Sequence, residues 1–199
     1  MFRKVLNWPN KKLREKSVLV ENVANEEELI HDLIDTCNVL MGAGLAAPQI
    51  GVSKKVVVIK PKAFGIDNPD PSEYNADYMV LVNPILESSG EEITWREACL
   101  SLPDLDGMVT RNETTLLKYI NEKGEEKRLI AEWPFSGGLQ HECDHLEGKL
   151  FIHRMDKKKS AFLLERWRRK KRKEMIKAKR EKRALEGRGK GLSKGRRRR

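Results

Sequence analysis

The chain has 199 residues, 39% of them hydrophobic, with 40 Lys and Arg against 30 Asp and Glu, a formal net charge of +10; that length suggests one domain with an appendage. No apolar run approaches the roughly 20 residues that span a bilayer, and the opening "MFRKVLNWPN" lacks the apolar stretch of a secretory signal, so neither a membrane-spanning nor a secreted protein is expected. Three cysteines at no disulfide-like spacing fit a reducing compartment, which makes the cytoplasm the expected location.

The first predicted element is an amphipathic helix over 26–41, "EEELIHDLIDTCNVLM", with Leu29, Leu33, Thr36 and Leu40 on its inner face. Asn25 is its expected N-cap, followed by glutamates where the helix dipole favours them. His31 and Cys37 on this helix read as structural. "GAGLAAPQIG" (42–51) reads as a glycine-rich turn, and "KKVVVIK" after it as a short buried strand. Residues 61–78 read as a long surface loop. "YMVLVNP", "GEEITWREACL" and "TTLLKYI" read as strands, and "NEKG" as a hairpin turn into "EEKRLIAEW". A Pro-Phe-Ser-Gly-Gly break then precedes a second helix. Strands between two helices, without βαβ alternation, indicate an α+β fold, with antiparallel sheets around that second helix.

The second helix carries "LQHECDHLEGKLF" (139–151). His141 and His145 are four residues apart, so their rings share one face and can share a metal ion, with Glu142 placed as a general base. Gly148 matches the glycine of the longer zinc-protease pattern H-E-x-x-H-x-x-G-x-x-H, but Phe151 holds the place of its last histidine. A third ligand must come from elsewhere. Cys99, in "REACLSLPD", reads alone as a small buried hydrophobe, and Gln49 as a turn residue. Taken with the two histidines, Cys99 completes a Cys/His/His set that leaves one coordination position free for water. Cys143 is expected to face the core, about 200° around the helix from His141. Asp144 fits either a partner orienting a ligand histidine or a surface ion pair. His153 reads as non-ligating.

Three stretches together resemble the peptide deformylase family: "GAGLAAPQ" (42–49), "EACLS" (97–101) and "QHECDH" (140–145), in the family's order. The resemblance runs from about Val5 to about Met155, so residues 1–156 are expected to form the catalytic domain. It implies Cys99, His141 and His145 as metal ligands and Glu142 as general base and acid. Gln49 and the backbone N–H of Leu100 would stabilise the oxyanion. Gly44 and Glu97 match positions lining the substrate groove, and Arg111 in "MVTRNE" a basic position associated with substrate backbone. The implied reaction is hydrolysis of N-formylmethionyl peptides to formate and a free amine. Iron(II) is the favoured metal, with zinc, nickel or cobalt able to occupy such ligands. A zinc metalloprotease with another third ligand, and a nucleic-acid-binding protein with a structural metal site, are the competing readings. The chain departs from the family pattern at Ala98, Ala43 and Gly137–Gly138. Ala98, in place of a glycine, could narrow the groove, whereas the smaller Ala43 and Gly137–Gly138 predict a roomier or more mobile pocket with weaker discrimination for methionine.

Charge divides the chain at this boundary. From residue 157 to 199 there are 22 Lys and Arg and 4 Asp and Glu, a net of +18, which leaves the first 156 residues at −8. A basic helix is expected over 157–186, ending at Gly187, with Phe162, Leu163, Leu164 and Trp167 available to dock on the body. The Gly/Arg-rich stretch 187–199 is expected to be disordered. A polyanion is the expected partner, nucleic acid first and an anionic membrane second. By analogy with deformylases that dock on the ribosome through a C-terminal helix, that partner is ribosomal RNA.

Overall fold

The structure, a computed structural model, describes residues 1–66 and 77–194, with the side chains of the last helix through Arg183. It divides into two compact units, Met1–Asp156 and a second that begins at Lys157.

The first unit is built on one five-stranded antiparallel sheet in the order β1 (Gly44–Ala46), β2 (Val56–Ile59), β3 (Met79–Ala98), β4 (Asp106–Ile120), β5 (Glu126–Ala131). The α+β class stands, with a single sheet rather than several. Helix α1 (Glu27–Val39) and helix α2 (Phe135–Leu146) pack against opposite faces. The alternation within β2 shows how. Val56 and Val58 join Ile30, Leu33 and Cys37 in one core, while Val57 and Ile59 join Phe135, Leu139 and Leu146 in the other. Side chains alternate across a strand, so a strand buried on both faces reads as an unbroken apolar run. The segments "YMVLVNP" and "GEEITWREACL" are halves of one strand, β3, whose register shifts between Val82 and Ile85 and again between Ser89 and Glu92. These bulges carry the chain from a doubly buried stretch into a ribbon with β4 that ends beside α2.

Four expectations are corrected. Asn25 does not cap α1. A 3-10 turn, Val23–Glu26, precedes the helix, and Asn22 caps that turn by accepting a hydrogen bond from Ala24 N at 3.0 Å. The "GAGLAAPQIG" segment is not all turn, because Gly44–Ala46 pairs with β2 as an edge strand and Ala47–Ile50 follows as a 3-10 helix. The Pro-Phe-Ser-Gly-Gly break lies inside α2, whose first turn starts at Phe135; Ser136 Oγ donates to the backbone oxygens of Glu113 and Asn112 and fastens that turn to β4. Glycine weakens a helix by about 1 kcal/mol relative to alanine but keeps its N–H, so Gly137 and Gly138 remain helical.

The fourth correction concerns the second unit. Its helix, α3 (Lys157–Lys194), continues past Gly187 for the same reason. Along it Glu165 pairs with Arg169, Glu174 with Lys170 and Lys171, and Glu181 with Lys177. Within the 61–78 segment a 3-10 helix, Pro61–Phe64, ends at Gly65 in the left-handed region. Residues 67–76 and 195–199, to which the loop and tail expectations also extend, lie outside the described residues. No described helix is long and apolar enough to cross a membrane.

Candidate metal centre

Helix α2 places His141 and His145 one turn apart, with ring centroids 5.2 Å from each other and planes 79° apart. Cys99 arrives directly after the last residue of β3 and is held in a turn closed by Leu102 N donating to Cys99 O at 2.9 Å. The three side chains meet. One ligand atom from each lies within 4.8 Å of the others, and Cys99 Sγ is 3.3 Å from His145 Nε2. Metal bonds of about 2.0–2.3 Å bring donor atoms within about 4 Å of one another, so small side-chain shifts would close this set on one ion.

The protonation states agree with that use. Burial pushes the Cys99 thiol up, but the imidazoles of His145 and His141 outweigh it and hold it at about 5. The thiolate, which is the form that binds metal, is therefore the stable one at neutral pH. Glu142 is 7% exposed and burial raises its carboxyl, against the pull of the two histidines. Glu142 Oε2 and His145 Nδ1 are buried without a hydrogen-bond partner among the described residues. Buried orphan atoms of this kind mark a place where a further group or a water belongs.

Around the ligands lies a layer of positioning groups. His141 Nδ1 is 2.7 Å from Glu97 Oε2, which leaves Nε2 for a metal. Glu97 also receives Arg111 through Nε at 2.6 Å and Nη2 at 2.9 Å, and Trp95 Nε1 at 2.7 Å. Arg111 Nη1 donates to Asp144 Oδ2 at 2.7 Å, and Arg154 grips the same carboxylate. Asp144 is thus neither of the two things expected of it. It touches no ligand histidine, and it is buried rather than superficial. Gln49, 2% exposed, accepts from Ala46 N through Oε1 at 2.8 Å, which turns its amide nitrogen toward Cys99 Sγ and Ser101 Oγ at 3.5 and 3.3 Å.

A cleft of about 750 Å³ opens onto these groups, with Gly44, Gln49, Leu100, His141 and Glu142 in its lining. Gly44 presses against the glutamate: a Cβ on it would lie 2.7 Å from Glu142 Oε1. Glu97 reaches the lining too, with both carboxylate oxygens already engaged. Arg111 does not line the cleft. Its side chain is 2% exposed and committed to Glu97 and Asp144. Cys143 packs partly buried at the margin of the α2 core, and His153 Nδ1 accepts from Leu150 N at 3.0 Å, away from the ligand set.

The space expected beside Gly137 and Gly138 is filled. A Cβ on Gly138 would meet the Phe64 ring at 2.4 Å, and one on Gly137 would meet Trp133 at 2.7 Å and Trp95 at 3.1 Å. Small helix residues here admit aromatic rings from other elements, so Gly137 and Gly138 do not enlarge the pocket. Sequence reasoning passed over Phe64, Trp95, Ser101 and Arg154. The local signals were Ser101 inside the second motif and Trp95 just before it.

A thiolate and two imidazoles around one point, with a buried glutamate beside them and a cleft in front, define a metal-dependent hydrolase. The family profile for polypeptide deformylase matches residues 2–161. A peptide deformylase of Pelagibacter ubique is 34% identical over 166 residues, covering 82% of this chain and 92% of the relative. Peptide deformylase 1 of Prochlorococcus marinus is 39% identical over 160 residues, covering 77% and 80%. The crystal structure of a peptide deformylase from Legionella pneumophila superposes with a TM-score of 0.75 at 33% identity, covering 88% of this chain and 98% of that one. The chain belongs to the polypeptide deformylase family, the metal-dependent enzymes that remove the formyl group from nascent peptides.

Proposed function

We propose that the formyl carbonyl of an N-formylmethionyl peptide is hydrolysed in the cleft with Glu142 as the base, beside one divalent ion held by Cys99, His141 and His145. The observation that carries this reading is the buried Glu142 carboxylate, unpartnered at Oε2, next to a ligand set within 4.8 Å. A bound divalent ion supplies Lewis acidity, which polarises the carbonyl and makes a water acidic enough to lose its proton near neutral pH. Glu142 takes that proton and holds it while the water oxygen adds to the carbonyl carbon. It then passes the proton to the leaving nitrogen, so the products are formate and a free amine. The amide nitrogen of Gln49 and the backbone N–H of Leu100 stabilise the charge developing on the carbonyl oxygen. Gly44 keeps the cleft wall thin enough for Glu142 to lie against it, while Glu97 and Arg111 act through His141 rather than on substrate. A thiolate among the ligands suits iron(II), and zinc, nickel or cobalt accept the same donors.

The tail supports a second element of the reading. The segment 157–199 carries a net charge of +18. At 100° per residue its Lys and Arg surround α3, while Met175 and Ile176 are 57% and 43% exposed and form no broad apolar face. That pattern favours a phosphate-rich partner over insertion into lipid, and we assign it to ribosomal RNA, with the cytoplasm as the place of action.

The test of the reaction is formate and amine release from a formyl-Met tripeptide by protein loaded anaerobically with iron(II), beside Glu142→Ala. The variant is expected to lose about 10²- to 10⁴-fold in turnover while keeping its metal. Equal turnover in both proteins removes Glu142 from the mechanism.

A further inference from the structure

We propose that Phe64 is a partition that sets the depth of the substrate cleft, and so a specificity-determining residue for the first side chain of the formyl peptide. The inference rests on the reading that this peptide lies in the cleft.

Two cavities meet at this ring. The cleft over the metal ligands, about 750 Å³, is lined by Phe64 together with Ala43, Trp95, Gly138 and His141. A second cavity of about 640 Å³ is lined by Phe64 together with residues of β5 and of the turn into α2, among them Leu129, Trp133 and Phe135. Among the described residues Phe64 is the only one to line both. Its ring rests on the backbone of Gly138, where any side chain would collide with it: the space of a Cβ there lies 2.4 Å from Phe64 Cζ and 2.5 Å from Cε1. The ring also packs on Phe135, centroids 5.8 Å apart and tilted by 52°.

The arrangement puts the wall close to the chemistry. Gly138 precedes the ligand His141 by three residues, a rise of about 4.5 Å along the helix. A side chain one or two carbons out from the reacting formamide therefore extends toward Phe64. The helix contributes no side chain of its own at this point. The wall is lent by a separate element, the 3-10 helix Pro61–Phe64, which Gly65 closes with its N–H on the oxygens of Lys62 and Pro61. Because the ring stands on that separate element, replacing it changes no residue of α2 or of the ligand set. With the ring in place, an unbranched apolar side chain of methionine length ends against an aromatic face. Without it, the cleft and the second cavity become continuous, and an aromatic side chain has somewhere to go.

The experiment measures kcat/KM for formyl-Met and formyl-Phe tripeptides on the metal-loaded full chain, for wild type, Phe64→Ala, Phe64→Leu and Phe64→Trp. Phe64→Ala is expected to raise the formyl-Phe to formyl-Met ratio by at least about tenfold, the scale set by one or two methylenes in an apolar pocket. Phe64→Leu should fall between it and wild type, and Phe64→Trp below wild type. If Phe64→Ala does not fold, the order of ratios Trp < Phe < Leu carries the same test. A ratio indifferent to the size of residue 64, in folded proteins of equal metal content, overturns the partition and leaves the deformylase reading standing. Absence of turnover of either peptide by wild type overturns both.

Discussion

Glu97 Oε2 lies 2.7 Å from His141 Nδ1, and the other oxygen of that carboxylate receives Arg111 Nε at 2.6 Å. One glutamate therefore fixes the tautomer of a candidate ligand histidine while a buried guanidinium fixes the glutamate. Glu97→Gln keeps the shape but loses the charge that makes His141 a stronger donor. Metal affinity is expected to fall by about 10- to 100-fold, read by competition with a chromogenic chelator. Unchanged affinity would show that the contact is merely structural.

Gly44→Ala asks what the closeness of β1 to α2 is for. The added methyl would stand 2.7 Å from Glu142 Oε1 and must displace it. Turnover of formyl-Met tripeptide should drop by about 10²-fold or more, with metal content as in wild type. Full activity in this variant would mean that Glu142 need not stand where it does.

Arg111 is 2% exposed at its side chain and faces both Glu97 and Asp144. Its replacement by methionine takes the guanidinium from two buried carboxylates, leaving Asp144 to Arg154 and Glu97 to His141 and Trp95, and a destabilisation of about 3–5 kcal/mol is expected in urea unfolding. The loss should shrink when Glu97→Gln is made in the same chain, because the buried charge that Arg111 balanced there is then gone. Additive losses would deny the coupling.

Acid unfolding of the metal-free protein follows from the same cluster. Burial pushes the Glu97 carboxyl up, but Arg111 and His141 outweigh it and hold it at about 2, against an ordinary value of 4.5. A depressed folded-state pKa gives stability that is complete above the unfolded value and is lost as pH falls from about 4.5 toward 2. His141 runs the opposite way. Burial lowers its pKa, but Cys99 and Glu97 raise it well above 6.5, so its contribution is complete below that value and is lost on the alkaline side. Urea midpoints of wild type should therefore fall more steeply in acid than those of Glu97→Gln. Parallel curves would remove Glu97 from the acid limb.

Ending the chain after Lys159 removes most of the basic helix. Binding to ribosomes should be lost, and the full chain's binding should weaken steeply with added salt, since each neutralised phosphate releases counterions. Equal binding by the shortened chain ends the RNA reading of α3.

The sequence by itself determined what depends on short-range geometry. Histidines four apart share a helix face wherever the helix goes, so His141, Glu142 and His145 were legible as a unit. Cys99 and Gln49 were legible through the stretches around them, and the division into an acidic body and a basic appendage followed from counting charge. The α+β class came from the order of periodic segments. What the tertiary structure decided involves groups far apart along the chain. Arg111 on β4 reads as a base for substrate backbone until folding seats it between Glu97 and Asp144, 14 residues before it and 33 after it. Gly137 and Gly138 read as a break and as vacant space, because a glycine does not announce which ring will lie on it. Phe64 comes from a segment with no periodicity of its own, and only the packing of the Pro61–Phe64 turn against α2 gives it a place at the cleft. Local periodicity is written in neighbouring residues, whereas burial and partnership depend on which distant surfaces the closed core brings into contact.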